Sequence, residues 1–258
     1  YTYTYAKSLY HMGKYSRAID KLQELSSDTS RIEIYRLIGD SHIKLNRPDS
    51  AEKYYLIGLE YTGDTLLNLQ IMAQAFYDDG YLNRAADYCY RILAVHPHPE
   101  DIYPLMGSIY DKSGNYDSSF KYYEATLQTD SSSYDAFLGL TNAYFQKGNT
   151  DKAINILKRA KRFHPENPDL FFKIGFIYNA MKRKTQAAEN MHHAVKLAPG
   201  FLQARYFLAE VFIDVEMLDS ALVQCDSIII IDSTYVPAYL CRARGYDKMD
   251  KPAMAESS

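Results

Sequence analysis

Few residues in this chain stand at spacings that do chemistry. His96-Pro97-His98-Pro99 sets two imidazoles two residues apart, with Glu100 and Asp101 following. Imidazole nitrogen and carboxylate oxygen are transition-metal donors, but no cysteine or further carboxylate cluster accompanies them, and the run reads as a turn. His192 and His193 are adjacent on a helix, so their rings diverge and share no ligand geometry. Cys89, Cys225 and Cys241 form an odd, scattered set that reads as small buried hydrophobes. A phosphate-cradling glycine loop, a nucleophile elbow and paired metal-ligand motifs are all missing from the sequence. The segment is therefore expected to be non-enzymatic, without cofactor or metal.

Charge gives one further candidate. Lys158, Arg159, Lys161 and Arg162 run together, and Lys182, Arg183 and Lys184 follow. They would suit a phosphate or an acidic partner, or simply a solvated helix face. No aromatic residues interleave with the basic ones, and the net charge of the chain is −3. The solvated face is the better reading, and no nucleic-acid partner is expected. No apolar run reaches the length of a membrane span, so no membrane insertion by this segment is expected.

What positions these residues is a repeat. Small residues recur at Ala51, Ala85, Ser119, Ala153, Ala187, Ala221 and Ala255, each step being 34 residues. Ahead of them, in the same register, come His42, Phe76, Tyr110, Tyr144, Tyr178, Phe212 and Tyr246. Before those stand Gly39, Ala73, Gly107, Thr141, Gly175, Ala209 and Ala243. Apolar residues within a unit recur at three- and four-residue spacing, as in Leu138, Leu140, Ala143 and Tyr144, then Ala153, Ile156, Leu157 and Ala160. That is helical periodicity. Gly148-Asn149-Thr150 separates the two runs as a turn followed by a helix cap, and Pro48 begins the second run of its own unit. Each unit is thus two antiparallel helices, with small residues where they cross closely.

These marks, with Tyr35, Tyr103, Phe137, Phe171 and Tyr239 at an aromatic position and Pro97, Pro165 and Pro199 closing three units, resemble the tetratricopeptide repeat (TPR) family, in about seven and a half repeats. The expected fold is all-α, a right-handed α-solenoid superhelix of stacked antiparallel helix pairs, forming a single array over residues 1–258. Its repeats are 1–31 (incomplete), 32–65, 66–99, 100–133, 134–167, 168–201, 202–235 and 236–258 (incomplete). Three departures from the family pattern stand out. The chain has no tryptophan, Arg205 occupies an aromatic position, and His42 occupies the tyrosine position.

The resemblance implies that the first helix of each unit lines a concave groove. Its usual inward positions map to Leu138, Asn142 and Phe145 in one unit, Phe172, Phe176 and Asn179 in the next, and Tyr206, Glu210 and Ile213 in the third. Gln70, Gln74 and Tyr77 take the same places earlier in the chain. Phe172 and Phe176 lie one turn apart on one face, which predicts an aromatic patch, with Asn142 and Asn179 able to bond a peptide backbone. The competing reading is that these rings complete helix packing. Asp101, Asp135 and Asp169 begin helices, where the macrodipole favours a carboxylate. The carboxylate-clamp pattern of co-chaperone TPRs is not matched by any three consecutive units. The asparagine ladder of sugar-transferase TPRs is not matched either, since that row reads Leu37, Ile71, Leu105, Gly139, Lys173, Phe207 and Cys241.

The function expected is a protein-protein interaction scaffold binding a peptide or protein segment in the groove at Leu138, Asn142, Phe145, Phe172, Phe176, Asn179, Tyr206 and Ile213. The alternative is a docking or regulatory arm of a larger enzyme or signalling protein. The chain opens and stops inside helices, which reads as a segment of a longer protein and leaves self-association through uncapped ends as a further expectation. The tyrosines and the Asp-Ser-Ala turns suggest a bacterial source. Compartment is left open between the bacterial envelope and the cytoplasm.

Overall fold

The computed structural model describes residues 1–25, 32–60, 65–96 and 99–249. His98, part of the double-imidazole run, and Ala255, the last small-residue mark, lie outside them. Fifteen α-helices and one short 3-10 turn are present among the described residues, and no strand.

The helices divide into two compact units, Tyr1–Thr129 and Asp130–Ser258. The first holds α1 (Thr2–His11) and α2 (Tyr15–Gln23), α3 (Ile32–Lys44) and α4 (Pro48–Glu60), α5 (Thr65–Asp78) and α6 (Leu82–Val95), then, after the 3-10 turn Pro99–Ile102, α7 (Tyr103–Lys112) and α8 (Tyr116–Thr129). The second holds α9 (Tyr134–Gln146) and α10 (Thr150–Phe163), α11 (Pro168–Ala180) and α12 (Lys184–Leu197), α13 (Leu202–Asp214) and α14 (Leu218–Ile231), and α15 (Val236–Lys248). In each unit, sequence-adjacent helices pair and successive pairs stack on one another.

The turn inside each pair is reversed by one residue with positive φ: Gly13, Asn46, Gly80, Gly114, Gly148, Lys182 and Glu216. From Asn46 onward these lie 34 residues apart. Glycine takes this left-handed conformation without steric cost, and asparagine tolerates it. Lys182 and Glu216 do neither, yet hold it at φ 60° in both cases. The helix ends around them explain why. The Lys182 amide donates to Asn179 O at 2.9 Å and the Arg183 amide to Tyr178 O at 2.9 Å, closing carbonyls that α11 would otherwise leave open. Asn149 caps α10 as its sequence suggests, accepting from the Lys152 amide at 3.3 Å, and Pro48 is the first residue of α4.

The small residues sit where the helices touch. Ala51, Ala85, Ser119, Ala153, Ala187 and Ala221 are fully buried. A Cβ built on Gly175 would lie 2.8 Å from Met191 Cγ and 3.0 Å from the carbonyl oxygen of Ala187, and one on Gly107 would lie 2.7 Å from the Tyr123 ring. Such contacts leave no room for a methyl group unless the helices separate.

Two of the three departures from the repeat, Arg205 and His42, are accommodated differently. Arg205 leaves the aromatic role and bonds outward, Nε donating to Pro199 O at 2.7 Å and Nη1 to Gln224 Oε1 at 2.9 Å. His42 keeps the buried place of a ring, stacked on Tyr54 at 5.2 Å between centroids. Neither of its nitrogens has a hydrogen-bond partner among the described residues, and burial pushes its pKa down, with Arg47 adding to the shift. All three cysteines are buried and free.

Candidate functional site

In the second unit, α9, α11 and α13 present one side of each first helix to a common pocket. Its volume is about 220 Å³, and Thr141, Asn142, Phe145, Phe172, Lys173, Phe176, Ile177 and Gln203 line it. Four of the eight residues expected in a groove come together here: Asn142, Phe145, Phe172 and Phe176.

Their roles separate on burial. Phe176 is 39% exposed while Phe172 is 7% exposed. Phe172 is enclosed by rings: Phe201 at 5.2 Å, Phe207 at 5.6 Å and Phe176 at 6.4 Å between centroids. Phe176 closes the cluster from outside, at 6.2 Å from Phe145 and 5.6 Å from Phe207. Phe172 is thus chiefly a packing residue between successive helix pairs, and Phe176 carries the exposed aromatic surface. An exposed ring supported by other rings is the common form of a contact anchor.

The other four expected residues lie elsewhere. Ile213 is fully buried, in a core cluster with Ala209, Ala221, Cys225 and Cys241, and does not reach a groove. The family register points it inward, but α14 and α15 close over that position. Tyr206 is half-buried and packs edge-on against Phe207 and Tyr235. Leu138 is half-buried and outside the pocket lining. Asn179 accepts a hydrogen bond from Lys184 Nζ at 2.7 Å, and the same ammonium reaches Asp214 at 2.6 Å. Asn179 therefore braces the α11–α12 turn rather than offering its carbonyl to a ligand.

Sequence reasoning passes over three residues at or behind the pocket. Lys173 and Phe207 belong to the row compared with an asparagine ladder, one place beyond the expected inward positions. Gln203 stands at the second position of its unit, an inward place, but no aromatic neighbour in sequence draws attention to it. Lys173 is the one charged residue among those lining the pocket, and Asp169 lies 3.6 Å from its ammonium. Asp169 also accepts from the Tyr134 hydroxyl and sits in the first turn of α11. The helix itself is capped by Asn167, which accepts from the Asp169 amide at 3.0 Å.

A larger cavity, about 470 Å³, belongs to the first unit, with Tyr10, Arg36, Asp40, Lys44, Gln70, Gln74, Asp78, Asp79 and Asp101 among its lining. Its polar groups largely satisfy one another. Lys44 pairs with Asp79, Gln74 Nε2 donates to Asp78 at 2.7 Å, and the Tyr55 hydroxyl donates to Asp40 at 2.6 Å. Size alone does not make it the better contact site, because a ligand there must displace existing bonds.

Of the basic run, Lys158, Arg159 and Arg162 are exposed on α10. Lys161 lies over the Phe171 ring at 3.9 Å, where burial, then Lys158, pushes its pKa down. His193 stacks on the same Phe171 at 4.1 Å. Among the described residues no group of His, Cys, Asp and Glu is arranged to hold a metal ion, and no helix is long and apolar enough to cross a membrane.

The helix pairs, their crossings and their turns agree with the repeat read from the sequence, and the tetratricopeptide-repeat family profile matches residues 112–171. The chain is a tetratricopeptide-repeat protein. This TPR protein is similar to BBSome complex member BBS4 of Bos taurus, 24% identical over 217 residues, which cover 84% of this chain and 42% of that one. The chain therefore spans less than half of that relative's length. Two solved structures share the fold. One is the C-terminal part of a TPR repeat-containing protein from Cytophaga hutchinsonii, with TM-score 0.63 and 17% identity over 93% of this chain and 98% of that one. The other is YrrB, a TPR protein with an unusual peptide-binding site, with TM-score 0.52 and 22% identity over 65% of this chain and 86% of that one. TPR proteins generally act as non-catalytic interaction scaffolds. The relatives include proteins of cattle, fission yeast, Caenorhabditis elegans and cyanobacteria, so they do not single out a bacterial source.

Proposed function

We propose that this TPR protein holds a segment of another protein against the aromatic pocket of its second unit. The observation that carries the reading is Phe176, exposed at the rim of a formed pocket, backed by Phe145 and Phe207 and flanked by Asn142, Lys173 and Gln203. The pocket is smaller than the roughly 300–1,000 Å³ of small-molecule sites, which favours an inserted side chain over a whole small ligand. Asn142 and Gln203 supply amides of the kind that bond a peptide backbone. YrrB, which shares the fold, has a peptide-binding site of its own, and this supports the same class of ligand here.

The test compares affinity capture by the native protein with capture by Phe176→Ala, followed by binding measurement on the partner retained. A partner lost by at least tenfold in affinity, with the circular dichroism spectrum unchanged, supports the pocket. Equal capture by both proteins sinks it. A second reading, the docking or regulatory arm of a larger protein, draws on the 42% of BBS4 that the chain spans. It uses the same pocket and differs only in what the partner is brought to.

A further inference from the structure

The second helix of each pair in the second unit ends alike. Phe163 closes α10, Leu197 closes α12 and Ile231 closes α14, at steps of 34 residues. All three are exposed, and Ile230 beside the last is 84% exposed. Stacked repeats set equivalent positions of successive helices side by side, so these side chains form one apolar row along the helix ends. Behind it, residues 157–163 of α10 and 191–197 of α12 carry Lys158, Arg159, Lys161, Arg162 and Lys196 and no carboxylate. Lys161 lies over the Phe171 ring. The other four cations are exposed, and among the described residues no carboxylate pairs with them.

The repeat itself does not require this arrangement. In α8 of the first unit the places of Lys158 and Arg162 belong to Glu124 and Gln128, and that of Phe163 to Thr129. A solvated face would account for the cations alone. It does not account for a row of exposed apolar side chains beside them.

We propose that this edge of the second unit rests on a membrane containing anionic phospholipid. Phe163, Leu197, Ile230 and Ile231 enter the headgroup layer, while Lys158, Arg159, Arg162 and Lys196 meet the phosphates. A basic face bordering an apolar one is the pattern of proteins held at a lipid–water boundary, where apolar burial and attraction to anionic lipid add together. Arginine also matches a phosphate with two parallel hydrogen bonds. Charge selects an anionic surface over a neutral one. Shape selects a bilayer over a protein segment: the row projects side chains singly, and none of these residues lines either cavity described above. The nearby carboxylates are few. Glu166 follows α10, Glu189 precedes the basic end of α12, and Asp232 after α14 already accepts from the Thr234 amide at 2.8 Å and its hydroxyl at 2.6 Å. The contact lies on the bilayer and does not span it. The pocket proposed for a protein segment is lined from α9, α11 and α13 instead, so the two contacts use different helices.

The experiment measures co-sedimentation of the protein with phosphatidylcholine vesicles and with vesicles of phosphatidylcholine and phosphatidylglycerol. Binding is expected to the second kind only, and should weaken as salt rises. Ile230→Ser with Ile231→Ser, and separately Arg162→Glu with Lys196→Glu, should each lower that binding by at least tenfold with the circular dichroism spectrum unchanged. Lys53→Glu with Lys121→Glu reverses two exposed lysines of the first unit and should change it by less than twofold. No binding to the anionic vesicles overturns the proposal. So does an equal loss in the first-unit variant, which would reduce the effect to overall charge, or no loss in the isoleucine variant, which would leave adsorption by cations alone. Polyglutamate bound as tightly as the anionic vesicles would instead assign the edge to an acidic protein partner.

Discussion

The ring of Phe207 stands nearly perpendicular to that of Phe176, with 84° between their planes and 5.6 Å between their centroids. The edge of one ring thus meets the face of the other, the favoured arrangement for aromatic pairs. Two side chains from successive helix pairs hold one exposed ring in place before any partner arrives. A ring held this way loses little conformational freedom on binding.

Phe176 and its neighbour Phe172 should therefore respond differently to truncation. Phe172→Ala removes a buried ring and should cost about 3–5 kcal/mol of stability. Phe176→Ala, at a site 39% exposed, should cost about 1 kcal/mol. Thermal melts of the two single variants check this, and equal losses would place Phe176 in the packing as well. The double variant is a poor probe of binding, because it damages the scaffold together with the anchor.

Lys182→Gly and Glu216→Gly should each stabilise the second unit by about 0.5–1 kcal/mol. Both residues hold φ 60°, where a side chain meets its own backbone; relief of that strain exceeds the extra freedom that glycine gains in the unfolded chain. Urea unfolding measures it. A destabilised variant would mean that the side chains themselves hold these turns.

Asp40 makes the first unit sensitive to pH. Burial pushes its pKa above the ordinary 3.8, against the lowering effects of the Tyr55 hydroxyl and Arg36. A carboxyl with a raised folded pKa binds its proton more tightly in the folded state. Its contribution is full below about 3.8 and is lost as pH rises through the folded value. Asp40→Asn keeps a carbonyl for Tyr55 and should remove that slope from the stability of the first unit. Denaturant melts from pH 4 to pH 7 decide the point; an unchanged slope in the variant would assign it to another group.

Much of the architecture was legible in one dimension because a 34-residue period repeats every local requirement. The crossings need small residues, the reversals need a left-handed residue, and the helices need apolar spacing, so each requirement recurs in register. Gly148 and Asn149 show that legibility in its favourable form: a turn and its cap lie in consecutive residues, and both are found as read. Lys182 and Glu216 show its limit. Their residue types argue against a left-handed turn, and only their place in the period reveals one.

Which apolar residues face a groove was not legible to the same degree. Phe172, Phe176 and Ile213 carry the same apolar signal, and family register sends all three inward. Burial depends on what the following helices bring. Phe201 and Phe207 enclose Phe172, α14 and α15 close over Ile213, and Phe176 is left at a rim. The placing of Cys225 and Cys241 in one buried cluster has the same origin, since the two sit at different positions of successive units and no period relates them. Local sequence determined the helices, their turns and their crossings, because each is set by neighbours within a few residues. Only the tertiary structure decided which side chains stay exposed and which meet, because those depend on the angle and offset between stacked pairs.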